Sequence, residues 1–303
     1  MTHRHAIFDR GLLRRRLARA IACGPATFLL ERVAADFAER LATVLRRFEL
    51  AVDLGTPTGE VRRELARSDK VGTIIAAHPL VGLGGAVAEH ASFLVAADEE
   101  ALPFAEGTID LVVSALAWQT VNDLPGTLIQ VRRTLKPDGL MLAALLGGDT
   151  LIELRQAFAV AETEVEGGLT PRVAPFVELR DAGALLQRAG FALPVTDVDR
   201  VTVRYPSVVA LLRDLRRMGA TNPLLARRRD PLKRATLARM MNVYGQNFSD
   251  PDGRIRATFD IVWLSGWAPH ASQQQPLRPG TAQTRLADAL GVKEIPAGEK
   301  AGR

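Results

Sequence analysis

The stretch LAVDLGTPTGEV, residues 50–61, decides the fold of this chain. An apolar run ends in Asp53, and a turn that contains Gly55 and Gly59 follows directly. This order predicts a buried strand, then a loop whose backbone can approach a ligand closely, then a helix start with free N–H groups. Glycine turns after strands are also ordinary structural features, so the loop alone leaves a binding site and a plain turn open.

Four more apolar runs of strand character follow in the first half of the chain. They are VGTIIAA (71–77), SFLVAAD (92–98), IDLVVSALA (109–117) and GLMLAALL (139–146). The segments between them, at 59–68, 80–90 and 124–136, have the composition of crossover helices. Strands that alternate with helices predict an α/β, doubly wound sheet with right-handed crossovers.

The pattern also predicts how the chain is divided. Residues 1–48 indicate an N-terminal helical arm, and residues 49–269 indicate one Rossmann-like domain. A helical insertion at about 206–250 precedes the last strand, predicted at 254–269. Residues 270–303 are expected to form a partly disordered tail.

The composition narrows the function classes. The chain has 303 residues, 47% hydrophobic and 24% charged, with a net charge of +5, as in ordinary globular proteins. The basic runs lack interleaved aromatic residues, so nucleic-acid binding is not predicted. Cys23 is the only cysteine, which excludes an internal disulfide and fits a reducing, cytoplasmic compartment. No apolar run reaches the about 18 to 20 residues that span a bilayer, although the basic amphipathic segment 8–22 leaves peripheral membrane contact open.

Ligands of a doubly wound sheet bind at the carboxyl ends of the central strands, so the residues that follow each strand are the candidate site. The second strand ends in AAHP (76–79), where His78 can donate to a ribose oxygen or serve no ligand, and where no carboxylate stands. The third strand ends at Asp98 and Glu99, and the apolar segment 102–104 follows. A carboxylate here can accept a hydrogen bond from an adenine amino group while apolar side chains flank the ring.

The fourth strand carries Ser114 and leads into WQTVN, residues 118–122. Trp118, Gln119 and Asn122 lie where a substrate would meet the cofactor in this fold. Packing of Trp118 beneath the next helix is an equal alternative.

Two longer strings resemble a known family. VNDLPGTLIQVRRTLKPDGLMLAALLGGDTL (121–151) and RDAGALLQRAGFALPVTDVDRVTVRY (180–205) are the most specific pieces, and the resemblance runs from about residue 7 to 269. The chain is similar to class I S-adenosylmethionine-dependent methyltransferases. Within them it resembles the bacterial relatives of the arginine hydroxylase that assists mitochondrial complex I assembly, and the malonyl-carrier-protein methyltransferase of biotin synthesis.

The resemblance implies a seven-stranded sheet whose last strand is antiparallel, and S-adenosylmethionine as the cofactor. It implies no metal site. The candidate cofactor contacts are the strand-end and loop residues Asp53, Gly55, Thr56, Gly59, His78, Asp98, Glu99 and Ser114. Two positions depart from the family pattern: Pro57 stands where a third glycine is usual, and alanine stands where an acid usually binds the ribose. Proline fixes φ and has no N–H, so cofactor binding is affected more than the fold.

Methyl transfer asks little of protein side chains beyond alignment of the acceptor and exclusion of water. The resemblance therefore predicts an S-adenosylmethionine-dependent methyltransferase-fold enzyme that acts on a protein side chain in respiratory complex I assembly. A complex I subunit or a small carboxylate is the expected partner.

Two alternatives remain open on the sequence. Arginine hydroxylation needs iron, flavin or another redox cofactor, and the five histidines show no short His-x-Asp/Glu spacing typical of an iron triad. A non-catalytic assembly factor with a degenerate cofactor pocket is the other alternative. Its docking surfaces would be the clusters at residues 14–16 and 227–229, although a solvated face explains each of them better.

Overall fold

Seven segments of the computed structural model, which describes residues 6–274 and 284–293, pair into one sheet. They are β1 (Phe48–Leu54), β2 (Val71–His78), β3 (Phe93–Ala96), β4 (Ile109–Ala115), β5 (Leu135–Gly147), β6 (Ala192–Tyr205) and β7 (Ile255–Trp267). Their order across the sheet is β3-β2-β1-β4-β5-β7-β6. Neighbours among β1 to β5 pair in parallel, whereas β7 is antiparallel to β5 and β6. The doubly wound, seven-stranded fold with an antiparallel last strand is confirmed.

The sheet is flanked by helices on both faces. They are α1 (Arg10–Ala22), α2 (Phe28–Ala42), α3 (Glu60–Arg67), α4 (Gly85–Ala88), α5 (Leu124–Thr134), α6 (Ile152–Glu166), α7 (Leu179–Arg188), α8 (Val208–Arg217) and α9 (Arg234–Phe248). One hydrophobic core joins the sheet to α2, α3, α6, α8 and α9, and a second joins the opposite face to α5 and α7.

Two helical predictions were too long. The crossover predicted at 80–90 is only a single 3₁₀ turn and the four-residue α4, because three glycines in this segment weaken a helix. The insertion predicted at 206–250 is the pair α8 and α9, separated by residues 218–233. Gly219 ends α8 with a φ of +70°, a conformation that favours glycine.

The chain divides into two units, Met1–Pro269 and His270–Arg303. The second unit contains a short helix, Leu286–Leu290, among its described residues. Of the tail predicted at 270–303, residues 275–283 and 294–303 lie outside the described residues. No helix in the described ranges is long and apolar enough to cross a membrane.

The N-terminal helix α2 packs into the sheet's own core. Phe37 is 1% exposed and lies edge-on to Trp263 of β7, with 4.9 Å between the ring centroids. The guanidinium of Arg40, one turn further on α2, stacks over the indole at 4.3 Å from its centroid. This ring contact joins α2, near the start of the chain, to β7, the last strand in the sequence.

We expect Phe37→Ala to lower the free energy of unfolding by about 3 to 5 kcal/mol, because it opens a cavity beside Trp263 in a closed core. Urea titration followed by tryptophan fluorescence measures the change. Leu45→Ala is the matched control: Leu45 is fully exposed, and its replacement should change stability by less than about 0.5 kcal/mol. Equal effects of the two variants would contradict the packing of α2 in the core.

Candidate functional site

The glycine loop after β1 rests on a buried ion pair. Asp53 is 1% exposed and accepts hydrogen bonds from the Thr56 hydroxyl and from Nη1 of Arg62, the latter at 2.5 Å. Arg62 comes from α3 and is also 1% exposed. Its Nε donates to the backbone oxygen of Glu89 at 2.9 Å. Both oxygens of Asp53 are therefore used to hold the loop against α3.

A second set of contacts joins the ends of β1 and β4. The hydroxyl of Thr56 accepts a hydrogen bond from the amide of Ala115 at 3.0 Å. The hydroxyl of Ser114 donates to the backbone oxygen of Leu54 at 2.7 Å. Thr56 and Ser114 are at most 1% exposed, so both side chains shape the site from beneath rather than face it.

Gly55 is the point at which the loop turns into the open cleft. Its φ is +79° and its amide donates to the Ala77 carbonyl at 2.8 Å. A Cβ at this position would lie 2.7 Å from Oε1 of Glu99 and 3.2 Å from Cβ of Ala117. Glycine is required here by the backbone conformation and by the close approach of Glu99. Gly59 follows as the N-cap of α3.

His78, at the end of β2, offers a hydrogen-bond donor in a buried position. It is 2% exposed, and its Nδ1 accepts from the amide of Leu80 at 3.0 Å. In the neutral ring the proton then sits on Nε2, which has no hydrogen-bond partner among the described residues. Burial first, and then the nearby charges of Arg62 and Arg14, lower the pKa of His78 to about 4. The ring is thus a neutral donor at physiological pH.

The carboxylates that follow β3 are held by α1. The guanidinium of Arg10 contacts Asp98 at 2.9 Å, Glu100 at 2.9 Å, and Glu99. Arg14, one turn later, contacts the second oxygen of Asp98 at 2.5 Å. Burial acts to raise the pKa of Asp98, but hydrogen bonds from the Glu100 amide and from Arg14 hold it below the ordinary value. The predicted adenine acceptor is therefore an ionised carboxylate already bound to two arginines.

Glu99 is the most buried of these three acids. Its side chain is 9% exposed, and burial raises its pKa, with Arg10 opposing that effect. Because its carboxylate lies directly in front of Gly55, Glu99 and Arg10 together close one side of the cleft.

The three substrate-side candidates follow β4, and their side chains make different contacts. Leu116 has a φ of +51°, a strained conformation for a leucine that is found most often at functional sites. Gln119 donates from Nε2 to the Leu116 carbonyl at 2.7 Å, and its Oε1 is buried without a partner in the described part of the chain. Trp118 is 1% exposed and belongs to the core beneath α5, which is the structural alternative considered for it.

Asn122 fixes the start of the chain. Its Oδ1 accepts from the amides of Ile7 and Phe8, both at 2.8 Å, and its Nδ2 donates to the Phe8 carbonyl at 3.2 Å. Both polar atoms of its side chain serve this contact, so Asn122 positions the residues that lead into α1.

One cavity of about 450 Å³ runs along the carboxyl edge of the sheet, a size typical of ligand pockets. Gly55, Pro57 and Glu99 line it on the β1–β3 side, and side chains of α1, α6 and α8 line it on the β7 side. Of the predicted contacts, the cavity brings together the residues Gly55, Glu99 and Gln119. It does not expose the others, which are Asp53, Thr56, Gly59, His78, Asp98, Ser114, Trp118 and Asn122.

Sequence reasoning missed the part that α1 plays. Arg10 and Arg14 both line the cavity, and their spacing of four residues places them on one helix face. That spacing, in a segment assigned only to an arm, is the signal that could have found them. Pro57, Thr58 and Leu116 line the cavity as well, and no sequence pattern marks the left-handed Leu116.

The arginine clusters are largely engaged within the chain. Arg16 donates to the carbonyls of Thr221 and Asn222 at 3.1 and 2.6 Å. Arg227 contacts Asp9 at 3.2 Å, and Arg228 contacts Glu166 at 2.5 Å. These contacts tie α1 and α6 to the 218–233 segment, and they reduce the positive charge that either cluster offers to a partner.

No group of three His, Cys, Asp or Glu side chains in residues 6–274 and 284–293 is placed to hold a metal ion. His3 and His5 lie outside these ranges.

Known proteins resemble this chain in sequence and in fold. A methyltransferase domain family matches residues 52–143. Arginine-hydroxylase NDUFAF5 of Danio rerio is 36% identical over 293 residues, which are 95% of this chain and 91% of that protein. Malonyl-[acyl-carrier protein] O-methyltransferase of Gallionella capsiferriformans is 32% identical over 275 residues, covering 87% and 92%. A candidate methyltransferase of Bacillus halodurans shares the fold, with a TM-score of 0.51 and 14% identity over 78% of this chain and 99% of that one.

The strand order and the glycine turn at the end of β1 define a class I methyltransferase fold. With relatives above 30% identity over most of its length, the chain belongs to the class I S-adenosylmethionine-dependent methyltransferase family. S-adenosylmethionine is the cofactor of this family. One feature of the cleft fits it, which is the close backbone approach at Gly55. Asp98 is an ionised acceptor but does not line the cavity while Arg10 and Arg14 hold it. His78, predicted on the ribose side, is a buried donor rather than an acid and does not line the cavity either.

The buried His78 makes the protein sensitive to acid. Because its folded-state pKa of about 4 lies below the ordinary 6.5, the unfolded chain binds the proton more tightly. Stability is therefore lost as pH falls from about 6.5 to about 4. We expect His78→Asn, which keeps an acceptor for the Leu80 amide but cannot take up a proton, to reduce the loss between pH 7 and pH 5 by about 2 kcal/mol. Urea unfolding at both pH values gives the measurement.

His90→Asn is the control, since His90 is exposed and its replacement should leave the pH dependence as it is. A wild-type loss that persists in full in His78→Asn would show that carboxylates, not His78, cause the acid sensitivity.

Proposed function

We propose that the chain binds S-adenosylmethionine between the Gly55 turn and Asp98, and catalyses transfer of its methyl group to a carboxylate acceptor held in the arginine-lined cavity. The observation that carries this proposal is the continuity of the cavity. The same space touches Gly55 and Glu99 at the cofactor loop and the arginines of α1 beyond it. An acceptor in that space would lie beside the cofactor and out of bulk water.

The residues of the chain have distinct parts in this function. The Gly55 backbone and Asp98 would hold the cofactor, and His78 would donate to a ribose oxygen. The bound cofactor supplies an activated methyl group through its sulfonium. The protein contributes orientation and exclusion of water, and α1 provides the cover because Arg10 and Arg14 fasten it to residues 98–100.

The charge of the cavity favours an anionic acceptor. Seven arginines line it, and Glu99 is the single carboxylate on its wall within the described residues. That carboxylate is already paired with Arg10. A guanidinium acceptor would find no free countercharge there, whereas a carboxylate could accept from Nε of Arg10 and Nε of Arg14, which have no hydrogen-bond partner among the described residues. The O-methyltransferase named among the relatives is in keeping with this acceptor chemistry.

Action on a protein side chain in respiratory complex I assembly is the second candidate, as methylation or as arginine hydroxylation. The identity of 36% to the Danio rerio arginine hydroxylase, over 95% of this chain, favours it. Incubation of the protein and S-adenosylmethionine with purified complex I subunits, followed by peptide mass spectrometry, tests it. The mass gained distinguishes a methyl group from an oxygen atom, and unchanged subunits would count against methylation. Hydroxylation by dioxygen needs a redox cofactor and a reductant, so it is tested in a second, aerobic incubation with iron(II) and ascorbate, where unchanged subunits would count against it.

We expect calorimetric titration to show micromolar binding of S-adenosylmethionine and S-adenosylhomocysteine, and Asp98→Ala to abolish it, because the adenine amino group loses its acceptor. Glu106→Ala is the matched control, since Glu106 is an exposed acid whose ion-pair partner in the described part of the chain is Arg133. Absence of heat with the wild-type protein at millimolar ligand would reject the methyltransferase proposal and leave the non-catalytic assembly factor.

Pro57 offers a second test of the same cleft. We expect Pro57→Gly to tighten S-adenosylmethionine binding on the order of tenfold, because glycine restores a backbone N–H and the freedom to adopt positive φ. The same calorimetric titration measures it. Weaker binding would mean that the proline-containing loop is itself adapted to the ligand.

A further inference from the structure

We propose that the β7 side of the cavity is a chain-binding compartment, and that the ligand it takes is a single-chain amphiphile with an anionic head group. This inference rests on the proposed function for the place of the head group, next to the cofactor loop. The compartment itself rests on the packing of three helices, independently of any cofactor.

The compartment is walled by apolar side chains from separate elements. Leu17 of α1, Leu154 and Phe158 of α6, and Leu212 and Leu215 of α8 all line it. Leu154, Phe158 and Leu215 are each at most 8% exposed and belong to the main hydrophobic core. The cavity therefore continues from the polar cofactor loop into the interior between α1, α6 and α8.

An empty space of this size and lining is not a normal feature of a folded core. Protein interiors pack about as densely as organic crystals, and their voids are few and small. An apolar cavity holds water poorly, because water needs several polar partners, but it accepts apolar molecules. The cavity of about 450 Å³ is in the range of ligand pockets, so its apolar part is suited to a hydrocarbon chain.

The head group is indicated by unused donors on the cavity wall. Nε of Arg10 and Nε of Arg14 are buried and have no hydrogen-bond partner in residues 6–274 and 284–293. Both side chains line the cavity near Glu99, where the apolar compartment meets the cofactor loop. Buried guanidinium N–H groups without an acceptor are costly, and a carboxylate at this point would supply one.

The substrate class follows from these two parts together. A ligand with a chain but no charge would leave the arginine donors unsatisfied. A small carboxylate without a chain would leave the compartment between α6 and α8 unfilled. A long-chain carboxylate satisfies both, with its head group against α1 and its chain between α6 and α8.

The test is calorimetric titration of three probes into the full chain without cofactor, each below its critical micelle concentration. They are dodecanoate, dodecyltrimethylammonium and hexanoate. We expect dodecanoate to bind, and each of the other two to bind at least about tenfold more weakly, since one carries the opposite charge and the other buries fewer methylenes.

Two pairs of variants locate the site. Leu212→Trp fills the compartment and should weaken dodecanoate binding at least about tenfold, whereas Val209→Trp, on the exposed side of α8, should not. Arg14→Gln should weaken dodecanoate at least about tenfold and hexanoate by a similar factor, since both carry the carboxylate, but it should not weaken the cationic probe. Arg15→Gln, on the exposed side of α1, should leave all three unchanged.

Thermal unfolding establishes that each variant is folded, and Ala174→Leu, which fills the cavity from another segment, replaces Leu212→Trp if that variant is not. Equal affinity for dodecanoate and dodecyltrimethylammonium would overturn the inference, as would full dodecanoate binding in a folded cavity-filling variant. Because no cofactor is present, dodecanoate binding without S-adenosylmethionine binding would reject the proposed function alone. The reverse result would reject this inference alone.

Discussion

The contact between α1 and the acids after β3 is the interaction on which the site depends. Arg10 and Arg14 reach Asp98, Glu99 and Glu100 from one face of α1. Asn122 and the 218–233 segment anchor the start and one side of α1, but these ion pairs are the contacts that fix α1 to the acids beside the cofactor loop. Arginine suits this task because its planar fork can bind more than one carboxylate oxygen at once.

The cleft beneath α1 keeps the shape of its family but changes the polarity of one wall. Hydrogen bonds of Asp53, Arg62, Thr56 and Ser114 hold β1, β4 and α3 together, so the frame of the cleft is intact. At the end of β2, however, a neutral histidine donor replaces a carboxylate acceptor. A ribose hydroxyl can accept from such a donor, but it loses the charge-assisted contact that an acid provides.

Much of the fold was predictable from residues 50–146, because buried parallel strands are continuous apolar runs and the glycine turn follows the first of them. The role of α1 was not, because the sequence shows that its arginines share a face but not which acids meet that face. The contacts of Asn122 with Ile7 and Phe8 span more than 110 residues, and no local pattern encodes them. Likewise, a histidine such as His78 reads as exposed until neighbouring strands bury it.

On the proposed function, an acid that fastens α1 would also bind the cofactor, and this would link the two events. Asp98 cannot give its full acceptor capacity to an adenine amino group while Arg14 and Arg10 occupy both of its oxygens. A rearrangement that frees Asp98 would break its ion pairs with α1. The free energy of breaking them would lower the affinity of the protein for the cofactor. An anionic ligand beside Arg10 and Arg14 would offset that cost, because the arginines would exchange one carboxylate for another. The arrangement therefore favours joint binding of cofactor and anionic acceptor over binding of the cofactor alone.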